Sequence, residues 1–312
     1  MAYGRDSACQ GRDSARESPL DVVIVAYQSR KLVHACLKSL RDHAPSAGMT
    51  TFVVDNSSSD GTVDMIRAEF REVHVISNER NVGFAVGSNV GIRSGHARYV
   101  LVLNPDTRIS AGALDALLAL MDRRPDIGIC GCRLLRDDGS FDHAAKRSFP
   151  TILGALGHFL HVGRRPNAPT RLSQYRATET EAGPVDAVNG AFMLIRRRAL
   201  DEVGLFDEGF WMYMEDLDLC FRFQQAGWLT WYEPSVIVHH VKGGTTGPLR
   251  GPRLNYAFHY GMYRFYRKHY AKRRASLTNV LVYGGVVAKF VVSVATAESR
   301  RLLSRRAGRK RV

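Results

Sequence analysis

Cysteine is scarce, and what there is forms no framework: five residues, Cys9, Cys36, Cys130, Cys132 and Cys220, an odd number without regular spacing. A disulfide scaffold is thereby excluded, and reduced thiols in a cytosolic compartment are expected. Cys130 and Cys132 are separated by one residue, which is poor spacing for a metal or redox pair, so they read as buried strand thiols. The first eighteen residues lack an apolar stretch and carry only a GRDSA repeat. They are expected to be a disordered leader rather than a secretory signal. A Gly-Lys-Ser/Thr triplet is also missing, which excludes a Walker loop, and no glycine fingerprint follows the first strand, which argues against dinucleotide binding. Acidic residues are nearly absent from the C-terminal end. From Arg264 onward there are fourteen Lys and Arg against the single acid Glu298, so the formal charge of +14 belongs almost wholly to a tail and the body is near neutral. Such tails meet anionic lipid or nucleic acid.

With 45% apolar, 9% aromatic and 24% charged residues in 312, the chain can bury one large core. Residues 21–26 (DVVIVA) form a β-branched run suited to a strand buried on both faces. Helical spacing follows over 29–43, then a strand at 52–54, a helix over 60–70, a strand at 73–76, a helix over 89–95 and a strand at 99–103 (YVLVL). Strand and helix alternate, which predicts an α/β fold with a parallel sheet. A helix over 111–122 and a strand at 127–132 continue the pattern, and 137–184 turns irregular, as a mobile acceptor-side insertion would. Order resumes over 185–196, with helices at 198–203 and 215–226 and short strands at 229–232 and 235–239.

Polar clusters fall at the strand ends, where ligands of such sheets bind. They are Ala26-Tyr27, Asp55-Asn56 and Asn104-Pro105-Asp106. Between them lies the glycine-rich run Asn81-Val82-Gly83-Phe84-Ala85-Val86-Gly87-Ser88-Asn89, whose glycines would let backbone approach a diphosphate or sugar. Asp106 ends an apolar strand, where a carboxylate can either ligate a hard divalent cation or cap the next helix. Glu215, Asp216 and Asp218 crowd an aromatic setting that includes Trp211. They are either a tuned general base with its neighbours or an acidic first turn complementing the helix dipole, and Asp218 and Arg222 stand four apart as a structural pair. His239-His240 closes a strand, a place suited to a metal ligand.

Occurring together and in this order, these segments resemble family 2 glycosyltransferases of the GT-A fold, in particular the bacterial rhamnosyltransferase-like branch, over roughly residues 19–247. The resemblance implies a nucleotide-diphospho-sugar transferase domain over 19–250, with a mostly parallel central sheet and helices on both faces. A leader (1–18) would precede it and a helical, membrane-associating tail (251–312) would follow. It places the nucleotide base on Asp55 and the nucleotide-sugar along Ala26, Tyr27, Asn81, Gly83, Phe84, Asn89, Asn104 and Asp106. It gives the metal, Mg²⁺ or Mn²⁺, to Asp106 and His240, the catalytic base to Asp216, and the acceptor side to Trp211, Glu215 and Asp218. His240 fits the family's His-x-x-Gly-x-Ser/Thr element better than His239, because Gly243 and Thr245 fall in step. Two departures stand out: Gln28 replaces the usual Asn after the first-strand Tyr, and Asn104 replaces the first acid of Asp-x-Asp. The second recurs in the rhamnosyltransferase-like branch and points to dTDP-rhamnose as donor; galactofuranosyl or other hexosyl transfer is the alternative.

The tail completes the expectation. Residues 256–270 interleave aromatics with Arg and Lys, as interfacial helices do, and 277–297 are apolar apart from Thr278, Asn279, Lys289 and small polar residues. The latter run reads as a helix lying in or dipping into the interface, with a true span or a helix packed on the catalytic domain as the alternatives. An anionic membrane surface on the cytoplasmic side of a bacterial plasma membrane is the expected partner, peripheral or monotopic, with a lipid-linked glycan as acceptor. A nucleic-acid-binding protein is the rival from another class. The near-neutral body and the absence of a nucleic-acid motif count against it, and no nucleic-acid partner is expected.

Overall fold

The structure, a computed structural model, describes residues 18–150, 180–241 and 251–309. Aliphatic runs become the inner strands β1 (Leu20–Ala26), β2 (Thr50–Asp55) and β4 (Tyr99–Leu103), and β3 (His74–Ser77) forms the edge beside β2. They are joined by the crossover helices α1 (Arg30–Asp42), α2 (Thr62–Glu69) and α3 (Phe84–Ser94). The chain continues through β5 (Thr107–Ile109), α4 (Ala113–Arg123), β6 (Ile127–Leu135), β7 (Lys146–Arg147), β8 (Gly183–Pro184), β9 (Ala187–Val188) and β10 (Phe192–Arg196). Then come α5 (Arg197–Val203), α6 (Glu215–Gln225), β11 (Leu229–His240), α7 (Pro252–His269) and α8 (Ser276–Arg309). The leader, save Ser18, the stretch 151–179 of the irregular region, and Gly243 and Thr245 of the His element lie outside the described residues.

The main sheet runs β3-β2-β1-β4-β10-β6-β11-β5, with β8 beside β11. Its β3-β2-β1-β4 and β6-β11 pairings are parallel, as the alternation predicts. β10, however, runs antiparallel between β4 and β6, and β5 and β8 run antiparallel to β11. An apolar run tells that a strand is buried but carries no direction, so the reversal was invisible. The two short strands expected at 229–232 and 235–239 are one strand, β11, whose register shifts between Glu233 and Ile237. Pro234 within that shift has no N–H to give the ladder. One core lies between the sheet and α1 and α4 (Val33, Leu37, Leu40, Leu114, Leu117), and a second between the other face and α3, α5 and α6 (Ile92, Leu200, Leu217, Phe223).

α3 starts at Phe84, five residues before the predicted position. The glycine-rich run is therefore mostly helix, and its glycines serve close approach. A Cβ on Gly87 would stand 2.9 Å from Val25 and one on Gly91 2.4 Å from Val23, so only glycine lets α3 lie this close to β1.

α7 is fastened to the domain by charge. Asp218, fully buried on α6, accepts from Arg222 Nε (2.8 Å), from His269 Nε2 (2.8 Å) and from Lys268 Nζ. Asp207 accepts from Arg264 Nη2 and Lys268 Nζ, each at 2.7 Å. Burial alone would raise the Asp218 carboxyl, but the hydrogen bonds from His269 and Lys268 outweigh it and hold its pKa below the usual 3.8. A depressed carboxylate stabilises the fold above its unfolded pKa, and that contribution is lost as pH falls through the folded one. We therefore expect Asp218→Ala, which removes the buried acceptor of Arg222 and His269 and leaves Lys268 with Asp207 alone, to cost roughly 3–5 kcal/mol in urea unfolding at pH 7. The deficit should shrink as the medium is acidified below about pH 4.

Candidate active site

The register of β1 on β2 sets Ala26 beside Asp55 at the carboxyl ends of adjacent strands. Asp55 is 2% exposed; its Oδ2 accepts from the Ser58 N–H at 2.8 Å, while Oδ1 is buried with no hydrogen-bond partner among the described residues. A buried carboxylate oxygen without a donor is costly unless a ligand supplies one. Tyr27 projects next to it, 45% exposed. Gln28 adopts φ 48 and binds the following loop, its backbone N–H donating to Ser58 Oγ and its Nε2 to Ser59 Oγ, both at 2.9 Å. The departure at this position is thus absorbed by the serine-rich loop.

Asn81 and Gly83 form the entrance to α3. The Gly83 N–H donates to Asn81 Oδ1 (3.0 Å), the Gly83 carbonyl accepts from Asn56 Nδ2 (3.1 Å), and the Phe84 N–H donates to the Trp211 carbonyl (2.8 Å). Gly83 has φ 91, and a Cβ there would lie 2.3 Å from that carbonyl and 2.5 Å from the indole. The 81–84 loop is thereby seated on the 211–214 turn. Asn89, expected beside the nucleotide, is bonded within the protein at both ends of its amide. Its Oδ1 accepts from the Phe206 N–H (3.0 Å) and its Nδ2 donates to the Phe206 carbonyl and Glu208, each at 2.9 Å. At 1% exposure it is a clamp between α3 and the 206–208 loop.

Asn104 ends β4, its N–H donating to the Ala191 carbonyl at 3.0 Å. Asp106 lies two residues on, 3% exposed, and His240 Nε2 stands 3.4 Å from its Oδ1. The other ring nitrogen, Nδ1, is 3.2 Å from Asp142 Oδ2. Burial works against a charged ring, but the bonds to Asp106 and Asp142 prevail and push His240 up to about 9. His239 points to the opposite face of β11, as strand alternation requires, and is opposite Arg108 in the ladder.

Asp216, 6% exposed in the first turn of α6, accepts on Oδ2 from the Gly190 N–H (2.9 Å) and from Arg147 Nη2, and on Oδ1 from the Leu217 N–H (2.8 Å). Glu215 beside it is 5% exposed, and its Oε2 has no partner among the described residues. Burial, and then the charge of Asp216, push Glu215 up to about 8. Tyr213 and Met214, just before, hold left-handed φ values of 70 and 73, a strained turn that aims the pair. Asp218 bonds Arg222 on α6 and Lys268 and His269 on α7, so the pairing with Arg222 four residues on is present.

A short segment joins the two clusters. Residues 142–147 carry Asp142 to His240 and Arg147 to Asp216, and β7 within it pairs with β9. The Asn189–Ala191 turn closes the circuit: Asn189 N–H donates to the Ala145 carbonyl, Gly190 to Asp216, and the Ala191 carbonyl accepts from Asn104.

With that geometry in place, comparison with known proteins is decisive. The family model described as Glycosyl transferase family 2 matches residues 21–204. The chain belongs to glycosyltransferase family 2. It is 32% identical over 252 residues to the N-acetylglucosaminyl-diphospho-decaprenol L-rhamnosyltransferase of Mycobacterium tuberculosis, covering 77% of this chain and 81% of that one. It is 29% identical over 166 residues to the rhamnosyltransferase WbbL of Escherichia coli, covering 51% of this chain and 60% of the relative. The mannosyltransferase PcManGT from Pyrobaculum calidifontis, solved with GDP-Man and Mn²⁺, superposes with a TM-score of 0.58 at 15% identity, covering 94% of this chain and 81% of that one. The fold is accordingly GT-A, and the protein is a glycosyltransferase.

A family 2 transferase of this fold raises the question of a divalent ion, and the residues present fit one. Asp106 offers a carboxylate, His240 an imidazole nitrogen facing it, and Asp142 orients the ring from behind, the arrangement of a carboxylate–histidine–metal ligand set. Among the described residues no group of three His, Cys, Asp or Glu stands ready to hold a metal, so a cation here would complete its shell with diphosphate and water. Asp142 and Arg147 escaped sequence reasoning because both lie in the irregular stretch, where no periodicity marks a buried side chain.

A carboxyl raised on folding stays protonated in the native state where the unfolded chain has lost its proton, so stability falls as pH rises between the two pKa values. We expect wild-type stability to decline from about pH 4.5 to about pH 8 through Glu215, and Glu215→Gln to flatten that slope in denaturant titrations across the window.

Proposed function

We propose that the protein transfers L-rhamnose from dTDP-rhamnose, with inversion, to a hydroxyl of a lipid-linked or cell-envelope glycan at the cytoplasmic face of the plasma membrane. The rhamnosyl group and the lipid-linked acceptor are read from the resemblance to the mycobacterial rhamnosyltransferase, and dTDP as its carrier from Asn104 in place of the first acid of Asp-x-Asp. The observation that carries the chemistry is Asp216, a buried carboxylate fixed by Arg147 and the Gly190 N–H behind the Trp211–Met214 turn.

Asp216 takes the proton of the acceptor hydroxyl, whose oxygen attacks the anomeric carbon as the bond to the nucleoside diphosphate breaks. Arg147 and Gly190 hold the carboxylate in line, and Glu215 lies beside it without adding a second full negative charge near neutrality. Asp55, with its unfilled oxygen, accepts from the nucleotide base, and Ala26, Tyr27, Asn81, Gly83 and Phe84 shape the donor pocket. Asp106 and His240 hold Mg²⁺ or Mn²⁺, which when bound supplies positive charge for the departing diphosphate.

Asp216→Asn is expected to lower kcat roughly 10²–10⁴-fold while leaving the Kd for dTDP-rhamnose within about twofold. Asp106→Ala should give the opposite pattern, abolishing metal-dependent donor binding in calorimetry. Near-wild-type turnover by Asp216→Asn would place the base elsewhere. Arg147→Ala should fall between, with kcat reduced on the order of tenfold to a hundredfold and donor KM little changed, because misplacing the base weakens the chemical step rather than binding.

A further inference from the structure

Within α8, the run Ser276–Ala297 is 22 residues long with mean hydropathy 1.9 and none of its most apolar window buried, so by length and composition it can cross a bilayer or lie along one. Its contacts with α7 decide between the two. Tyr266 donates its hydroxyl to Asn279 Oδ1 at 2.8 Å, and Asn279 Nδ2 donates to the Ala271 carbonyl at 3.1 Å. Tyr283 meets Tyr263 and Tyr266 with ring centroids 5.1 and 5.7 Å apart, and Phe290 meets His259 at 5.4 Å and Tyr256 at 6.3 Å. Ser293 Oγ donates to Asn255 Oδ1 at 2.9 Å. Residues 279, 283, 290 and 293 share one helical face, so α8 lies antiparallel on α7 for about 20 Å.

α7 cannot follow α8 into hydrocarbon, because Arg264, Lys268 and His269 bind Asp207 and Asp218 of the catalytic domain. Nor can α8 leave α7 for hydrocarbon without carrying Asn279 and Ser293 away from their α7 partners and into lipid. Lys289, the charge that interrupts the apolar run, stands 5.9 Å from the Phe258 ring on α7. On the other face Leu277, Val280, Leu281, Val287 and Val291 are 57–72% exposed. Lys272, Arg273 and Arg274 precede this stripe in the chain, and Arg300, Arg301, Arg305 and Arg306 follow it.

We propose that α8 is an in-plane anchor whose outer apolar stripe lies in one leaflet of an anionic bilayer and does not span it, with α7 at headgroup level. α7 also carries the acceptor turn: Arg253 lies over the Trp211 ring at 4.1 Å, Phe258 meets Tyr213 at 5.8 Å, and Gly261 gives the Tyr213 carbonyl room to approach. The anchor therefore holds the acceptor side at the membrane surface. Only that last consequence rests on the transferase reading.

The test uses the full chain in a Cys9→Ser background, with sealed vesicles of phosphatidylcholine and phosphatidylglycerol and a membrane-impermeant maleimide added outside. Arg274→Cys and Arg309→Cys bracket the helix. Both should label before the vesicles are lysed, and Val291→Cys should be protected at least tenfold relative to detergent solution. Val287→Glu with Val291→Glu should reduce the floated fraction about tenfold while leaving the melting temperature of the detergent-solubilised protein unchanged. Labelling of one end only after lysis would mean a span and overturn the proposal. So would a failure to float accompanied by a dimeric mass in light scattering, which would give the stripe to a second copy. Neither readout depends on turnover, so loss of the transferase reading would show separately in the activity assays.

Discussion

The hydrogen bond from the Phe84 N–H to the Trp211 carbonyl joins two regions of the chain that share no strand. On one side is α3 with the nucleotide-side loop; on the other is the turn that launches α6 and Asp216. Its existence depends on Gly83, whose φ of 91 and missing side chain let the backbone pass under the indole. Gly87 and Gly91 extend the same requirement inward by letting α3 settle on β1. Two loops far apart in sequence are free to drift relative to each other unless something joins them. Here the 81–84 loop and the 211–214 turn are linked by a backbone contact that no side-chain rotation can loosen.

The polar groups around this contact are ordered by the 142–147 segment. Its Asp142 end meets His240 and its Arg147 end meets Asp216, so one short piece of chain sets the orientation of two clusters. The three acids of α6 then separate by position. Asp216 turns toward Arg147 and Gly190, Glu215 is buried beside it with its carboxyl pushed up by burial and by the Asp216 charge, and Asp218 turns toward α7. Their closeness in sequence says nothing of this, because residues one and two apart on a helix point to different sides.

Much of the fold was legible because the inner strands are continuous apolar runs, whose burial on both faces leaves a plain trace. The direction of β10 and the fusion of two short strands into β11 were not, since neither alters local pattern. Of the candidate site residues, Asp55, Asp106 and Asp216 stand out in the sequence as acids beside apolar segments, and the structure buries all three. A buried Asn carries no such sign: it reads the same whether it awaits a ligand or, as Asn89 does, bonds the Phe206 backbone and Glu208. Asp142 and Arg147 left no trace, because their burial comes from tertiary contacts in a stretch without periodicity.

A division at residue 251 into catalytic domain and tail follows the composition but not the forces. Tyr213 and Met214 hold left-handed backbone conformations, which persist only when their surroundings over-determine them. Part of that surrounding is α7, through Phe258 against the Tyr213 ring and Gly261 beneath its carbonyl. α7 in turn stays in place because Asp207 and Asp218 bind its basic face. The positive charge that marks the tail in the sequence is thus partly used inside the protein, holding down the helix on which the acceptor turn leans. A change in how α7 sits therefore has a short mechanical route to Asp216, three residues beyond Tyr213.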